Sequence, residues 1–416
     1  MFKKTPGTKD ILPDEVYSWQ QIEETTRNIF SLYNYQEIRP PVIEEAALFN
    51  RSLGESAEIV QKQMFLIKKD KDVYALRPEG TASIVRAYLE NNLDKTSGLI
   101  KVYYIGPMFR AERPQKGRLR QFHHLGCEVL GSQEPHLDVE VIALADNLLK
   151  AYKIEGYEIK INSLGCAKDK KEFTQVLRKN LKDKLPKLCD DCKERFKGNV
   201  LRILDCKNER CIEVVKGLDI RQGHLCPECK AHFDKVKEGL GSLKIEYKFS
   251  PYLVRGLDYY TRTVFEIIHG NLGAQNALGA GGRYDNLVSD LGGPQLGAIG
   301  FAFGMERLLL VRSQGPAVKS ENLTYLITLG DEAKLKGLRV LAQLRQAGIP
   351  VDTDYEGKSL KGAMRRANDL SAKLVLIIGE DEINKGTVAL KDMASGEQKE
   401  IKQEELVNYV THSYLR

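Results

Sequence analysis

No run of apolar residues in this 416-residue chain approaches the length that crosses a bilayer, which excludes a helical membrane protein. The opening MFKKTPGTKD has no apolar core of the kind a secretory signal carries, so a cytoplasmic protein without a membrane partner is expected. There is no internal repeat and no low-complexity tract, which sets aside repeat architectures and disordered spacers. A large charge excess is absent too. The formal net charge of +6 is mild for this length and does not by itself demand a nucleic acid. What excess there is sits in one place: Cys166 to Ser250 holds about 21 basic and 14 acidic residues, leaving the remainder close to neutral. Such a block is either a solvated lysine-rich surface or a docking face for a phosphate-rich partner.

The length allows two or three domains, each with its own core. From Pro13 to Tyr33 apolar residues recur at helical spacing, and LPDE supplies proline and acid where a helix starts. YQEIRPPVIEE reads as a short strand broken by Pro40 and Pro41. Strands follow at DVYALRP, IKVYYIGPMFRAE, LRQFHHLGCEVLG, IEYKFS, VRGLDYYTRTVFEI and AIGFAFG, with helical patterns at GTASIVRAYLENNL and DVEVIALADNLLKAY between them. That order predicts an α+β domain on a largely antiparallel sheet, split by a mainly helical insertion. The boundaries expected are residues 1–165 and 242–314 for the split domain and 166–241 for the insertion. A polar linker, QGPAVKSEN, then leads into residues 322–416, where strands alternate with helices in a small α/β domain of mainly parallel order.

The hairpin MFRAERPQKGRLRQFHHLGCEV carries the most chemistry. Two strand-like runs, Lys101 to Glu112 and Leu119 to Leu130, flank a loop too basic and polar to pack. Alternation puts Phe122, His124, Gly126 and Glu128 on one face of the second run, and Met108, Arg110 and Glu112 on one face of the first. An arginine that grips phosphate or carboxylate, a ring that stacks on a base and a glycine that leaves room above the sheet would then converge. A surface hairpin with cross-strand ion pairs explains the charges but not Gly126 and Phe122.

Phe109, Arg110, Glu112, Arg118 and Phe122 resemble motif 2 of class II aminoacyl-tRNA synthetases. GAIGFAFGMERLLL resembles motif 3 of that class, with Glu306 and Arg307 at its junction, and EIRPPVIEE resembles motif 1, with Pro41. YALRPEGTASIVR, LVRGLDYYTRTVFE and GAGGRYDNL are similar to the signatures of histidyl-tRNA synthetases of bacterial type, and the resemblance covers essentially the whole chain. It implies a class II catalytic domain, an insertion, a C-terminal anticodon-binding domain, a homodimer built through motif 1, and L-histidine, ATP and tRNA(His) as substrates. Joining the histidine carboxylate to the α-phosphate needs positioning and positive charge rather than a covalent nucleophile. The resemblance implies Arg110 on the α-phosphate, Arg307 on the γ-phosphate, Phe122 on adenine with Glu112 in the same ATP site, and Arg255 as an extra catalytic cation. Mg²⁺ is expected to arrive with ATP. For histidine it implies Glu79, Gly80 and Thr81 around the amino group, Glu128 and Tyr260 on the ring nitrogens, and Tyr259 and Tyr284 as walls.

His124 stands where the family usually has glutamine, which puts that substrate contact in question. No metal ligand set is assigned. CDDC at Cys189–Cys192 and CPEC at Cys226–Cys229 have zinc-knuckle spacing, but they lie far apart for one site, and Cys206, Cys211, His224 and His232 are rival ligands. A structural zinc in the insertion is therefore not favoured. The other reading weighed is a catalytically silent, histidine-binding regulatory subunit of histidine biosynthesis. Such proteins lose catalytic arginines and the anticodon domain, whereas this chain keeps both. A zinc-dependent RNA-binding protein would explain the cysteines and none of the motifs.

Overall fold

The computed structural model of the chain describes residues 2–54, 57–95, 98–115, 117–218, 224–273, 276–312 and 322–414. It falls into two compact units, residues 1–314 and 315–416. Most of the linker expected at 314–322 lies outside the described residues.

Along the first unit come β1 (Gln36–Glu37), then β2 (Ile43–Glu45), β3 (Phe65–Lys69) and β4 (Asp72–Leu76), then β5 (Ile100–Phe109), β6 (Gln121–Leu130), β7 (Tyr157–Ser163), β8 (Lys248–Phe249), β9 (Thr261–His269), β10 (Ala277–Arg283) and β11 (Ala298–Gly304). Strands β2, β4 and β3 make a small antiparallel sheet of their own. The other eight form one sheet in the order β1-β5-β6-β11-β10-β9-β7-β8, antiparallel except for its two outermost pairs. Period-two alternation decides which side is buried. Tyr103, Leu125, Cys127, Val129, Ile299, Phe301 and Phe303 pack with Trp19, Ile22 and Phe30 of the helix Pro13–Leu32 and with the apolar side of the helix Pro135–Ala151. The opposite face is left for the cavity described below.

Between β7 and β8 the chain forms the helices Ala167–Leu181, Asp190–Lys197, Glu209–Lys216 and Pro227–Ser242. The last of these is part of the main core: Phe233, Val236 and Leu240 bury with the helix Pro135–Ala151, and a Cβ on Gly239 would meet Val139 at 2.6 Å. The second unit runs β12 (Thr324–Thr328), β13 (Val351–Thr353), β14 (Leu374–Ile378), β15 (Thr387–Asp392) and β16 (Gln398–Lys402), with helices Asp331–Gln346, Leu360–Asp369 and Leu406–Tyr414.

Several local expectations need correction. The sheet of the second unit, in the order β13-β12-β14-β15-β16, is mixed rather than mainly parallel, because β14-β15 and β15-β16 are antiparallel pairs. β5 stops at Phe109: Arg110 makes one further rung to the Arg120 carbonyl, and then Glu112 N–H turns back onto the Arg110 carbonyl. IEYKFS holds only the two-residue β8. β9 begins only at Thr261, midway through the run VRGLDYYTRTVFEI, because the ladder slips between Gly282↔Val264 and Arg283↔Thr261 and Arg262 takes φ +44°. That bulge frees Tyr259 and Tyr260 from the pleat.

Candidate active site

Residues directly opposite each other in an antiparallel ladder share a face. Glu128 stands opposite Val102 and Gly300, Gly126 opposite Tyr104 and Ala302, and His124 opposite Gly106 and Gly304. One strand further, Ala280 and Gly282 continue the same rows. The centre of this face is thus carpeted with residues that have little or no side chain, and the large groups stand in the space they leave. A Cβ on Gly300 would lie 1.9 Å from Glu128 Oε2, and one on Gly126 would lie 2.6 Å from the Tyr104 hydroxyl. Above this floor is a cavity of about 270 Å³. It brings together every residue assigned above to histidine or ATP: Arg110, Glu112, Phe122, His124 and Glu128 from the hairpin, Glu79, Gly80 and Thr81 at a helix start, Arg255, Tyr259 and Tyr260 from the loop before β9, Tyr284, and Arg307.

Glu128, 1% exposed, is the hub of the apolar end. Its Oε1 accepts from Thr81 Oγ1 at 2.7 Å and Tyr104 OH at 3.4 Å, and its Oε2 accepts from Tyr284 OH at 2.5 Å. Burial pushes its carboxyl up to about 8, against the lowering effect of the Tyr284 and Thr81 hydroxyls. Glu79 is also buried, and burial raises its carboxyl as well. Its oxygens accept from Thr81 N–H at 2.7 Å and Ala82 N–H at 2.8 Å, capping the helix Thr81–Glu90. Tyr259 stacks obliquely on Tyr260 at 4.7 Å and meets Tyr284 edge-on at 5.7 Å. Tyr284 is therefore both a wall and a hydrogen-bond donor to Glu128.

The rest of the lining carries the arginines Arg110, Arg118, Arg255 and Arg307. Arg110 donates through Nε to the Pro78 carbonyl at 2.8 Å, which lays its guanidinium over the Phe122 ring at 5.2 Å. Arg307, in the first turn of the helix Met305–Val311, donates to the carbonyls of Gly117 at 3.1 Å and Ala277 at 2.5 Å. Arg255 is paired through Nη1 with Glu266 at 2.8 Å, and its buried Nε has no hydrogen-bond partner among the described residues. Glu112 is held by Arg118 at 2.7 Å; Lys116, in the same loop, lies outside the described residues. His124 meets Phe122 edge-on at 5.1 Å, and its Nδ1 is buried without a partner among the described residues. Burial first, then the charges of Arg110, Arg307 and Arg77, hold its imidazole well below the usual histidine range, so the ring is neutral at pH 7.

Two residues in and beside the cavity, Tyr104 and Arg77, escaped the sequence reading. Tyr104 lines the cavity and fills the gap between Gly80 and Gly126. A period-two count from Met108 would have placed it on this face. Arg77 is 5% exposed and ties β5 to the Pro40-Pro41 segment, donating to the carbonyls of Pro107 at 2.9 Å and Pro40 at 2.8 Å. Glu306, beside Arg307, accepts from the backbone N–H and Nδ1 of His123, both at 3.0 Å, which fixes the helix start against β6.

Residues 7–308 match the family model described as histidyl-tRNA synthetase, and residues 324–412 match the model of an anticodon binding domain. The histidine--tRNA ligase of Thermodesulfovibrio yellowstonii is 46% identical over 411 residues, and that of Thermotoga petrophila 43% over 415, each alignment covering 98% of both chains. The crystal structure of apo S. aureus histidyl-tRNA synthetase superposes with a TM-score of 0.82 at 34% identity, covering 99% of this chain and 100% of that one.

Proposed function

The chain belongs to the histidyl-tRNA synthetase family, and we propose that it attaches L-histidine to tRNA(His) through a histidyl-adenylate formed in this cavity. One observation supports this best: a buried, hydroxyl-ringed carboxylate and three arginines stand over a single glycine floor. A histidine carboxylate oxygen attacks the α-phosphorus of MgATP; the new O–P bond forms as the bond to the β-phosphate breaks and pyrophosphate departs with the electron pair. Arg110 and Arg255 hold the phosphoryl oxygens as charge grows on them, Arg307 holds the distal phosphate, and Phe122 backs the adenine. Glu128 and Tyr260 read the imidazole, while Glu79 and Thr81 hold the ammonium. A terminal ribose hydroxyl of tRNA then attacks the acyl carbon and AMP leaves. The silent regulatory reading is not favoured, since all three arginines and the second unit are present.

Histidine-dependent exchange between ATP and pyrophosphate tests the assignment. No exchange with Mg²⁺, or exchange driven by another amino acid, would remove it. The pH profile is more specific. With its carboxyl at about 8, Glu128 of the empty enzyme is protonated below that pH and must release its proton before it accepts from a ring N–H. The expected kcat/KM for histidine therefore rises up to about tenfold per pH unit towards pH 8 and then levels. Glu128→Gln should lower activity and abolish that limb; a limb that survives would assign it to the substrate instead. In the same assay His124→Gln should shift the histidine KM about 3- to 10-fold with little change in kcat, the effect of one neutral hydrogen bond in binding. No change in either constant would take His124 off the contact list.

The active form we assign is a cytoplasmic homodimer. Ile43 and Ile67, exposed on one face of the small sheet beside motif 1, are the surface a second copy would cover. Sedimentation at the mass of one chain at micromolar concentration would contradict this. For tRNA, the basic insertion and the loop around Arg118 suit the acceptor end. The helix Leu360–Asp369 buries Ala363 and Ala367 and exposes Lys361, Arg365 and Arg366, a face suited to the anticodon arm.

A further inference from the structure

The two C-x-x-C knuckles do not face each other; each has found different partners. Cys189 and Cys192 lie with Cys206 and Cys211, and Cys226 and Cys229 lie with Cys166 and Asp169. Within each group all four ligand atoms are within 4.8 Å of one another. Four sulfurs at ~2.3 Å from a tetrahedral zinc stand about 3.8 Å apart. Cys189 and Cys206 are separated by 3.9 Å, sulfur to sulfur.

The local geometry is that of ligand loops. Cys189, Cys226 and Cys166 each precede a helix, and the second ligand of each pair, Cys192, Cys229 and Asp169, sits three residues on, in the first turn. Backbone N–H groups already point at sulfur, from Cys189 to Cys211 at 3.2 Å and from Asn208 to Cys206 at 3.5 Å. The rival ligands lie elsewhere: the His224 ring stacks on Phe173, and His232 approaches Asp138 at 3.7 Å.

We propose that the insertion holds two zinc ions, one in a Cys189, Cys192, Cys206, Cys211 site and one in a Cys166, Asp169, Cys226, Cys229 site. Spacing alone counts against zinc only while CDDC and CPEC are required to share one ion. Each site anchors an element that touches the loop before β9. Lys170, next to Asp169, donates to the carbonyls of Asp258 at 2.6 Å and Tyr260 at 3.3 Å, and Asn199, which follows the Cys189 helix, donates to Asp258 Oδ1 at 2.5 Å. The ions thus brace the segment that carries Tyr259 and Tyr260. Loading deprotonates the thiols and releases their protons to solvent.

The reduced full-length protein, equilibrated with zinc and desalted, should retain about two equivalents by mass spectrometry of the metal, and Cys211→Ser and Cys229→Ser should each lower this to about one. Cobalt(II) bound to the unmutated protein should give the visible bands of tetrahedral thiolate ligation, a readout that does not depend on the variants folding. Less than about half an equivalent of zinc would overturn the proposal. So would octahedral cobalt spectra, or thiols that react in denaturant only after reduction, which would make the clusters disulfides. A site whose own serine variant leaves the zinc content unchanged is refuted individually.

Discussion

Arg255→Ala is expected to slow histidine-dependent pyrophosphate exchange by about 10²- to 10³-fold, the usual effect of removing one donor that stabilises charge developing in a transition state. The size follows from where the side chain stands. Arg255 lines the same cavity as Arg110 and Arg307, and Glu266 occupies only its Nη1, at 2.8 Å. Its Nε is buried without a partner among the described residues, an arrangement costly to keep unless an anion visits. Glu266 itself fixes the direction of the fork and keeps a half-buried cation paired in the empty enzyme. The loss should fall in kcat, with the histidine KM changed by less than about threefold, because Glu128, Thr81, Tyr260 and Tyr284 are untouched. Arg255→Lys should recover only a small part, since an ammonium restores charge but not the planar fork. A loss below tenfold, or one carried entirely by the histidine KM, would mean that Arg255 serves binding and not the phosphoryl step.

The site was legible in the sequence wherever chemistry depended on short-range order. Alternation through QFHHLGCEVL put Phe122, His124, Gly126 and Glu128 on one face, and the ladder with β5 and β11 places them there. What was illegible depended on which strands become neighbours. Tyr104 reads as one more aromatic in a strand until Gly80 and Gly126 are seen to have no Cβ where it stands. The loop before β9 reads as strand because its composition is that of a strand; the slip at Gly282 and the positive φ of Arg262 are set by pairing, which composition does not encode. β16 is not visible in the sequence because it is a charged strand, QKEIK, at the sheet edge with only Ile401 buried, so it shows none of the alternation of a half-buried strand. The cysteines show the same limit: spacing identifies knuckles, but folding decides which knuckles meet.

Arg283→Met is expected to destabilise the first unit by about 3–5 kcal/mol, the cost of leaving buried carboxylates without their counter-ion. Arg283 is wholly buried, a position a guanidinium occupies only when its donors are paired. Its Nη1 reaches Asp138 at 2.5 Å, its Nε reaches Asp285 at 3.0 Å, and its Nη2 reaches the Ser132 carbonyl at 2.5 Å. Asp285 in turn accepts from the Ala298 N–H at 3.0 Å. One side chain therefore joins the end of β10, the start of β11 and the helix Pro135–Ala151. The next residue, Tyr284, donates to Glu128, so this clamp also sets the geometry of the apolar end of the cavity. Burial pushes the Asp138 carboxyl up to about 6 even with Arg283 beside it, which shows how poorly this site tolerates an uncompensated negative charge. Methionine removes the cation and keeps both aspartates. Adding Asp138→Asn should then recover about 1–3 kcal/mol, because the two residues are in direct contact and their effects are not additive. Urea unfolding of the wild type, both single variants and the double variant measures this coupling. Additivity within about 0.5 kcal/mol would show that Arg283 acts by filling volume rather than by balancing charge.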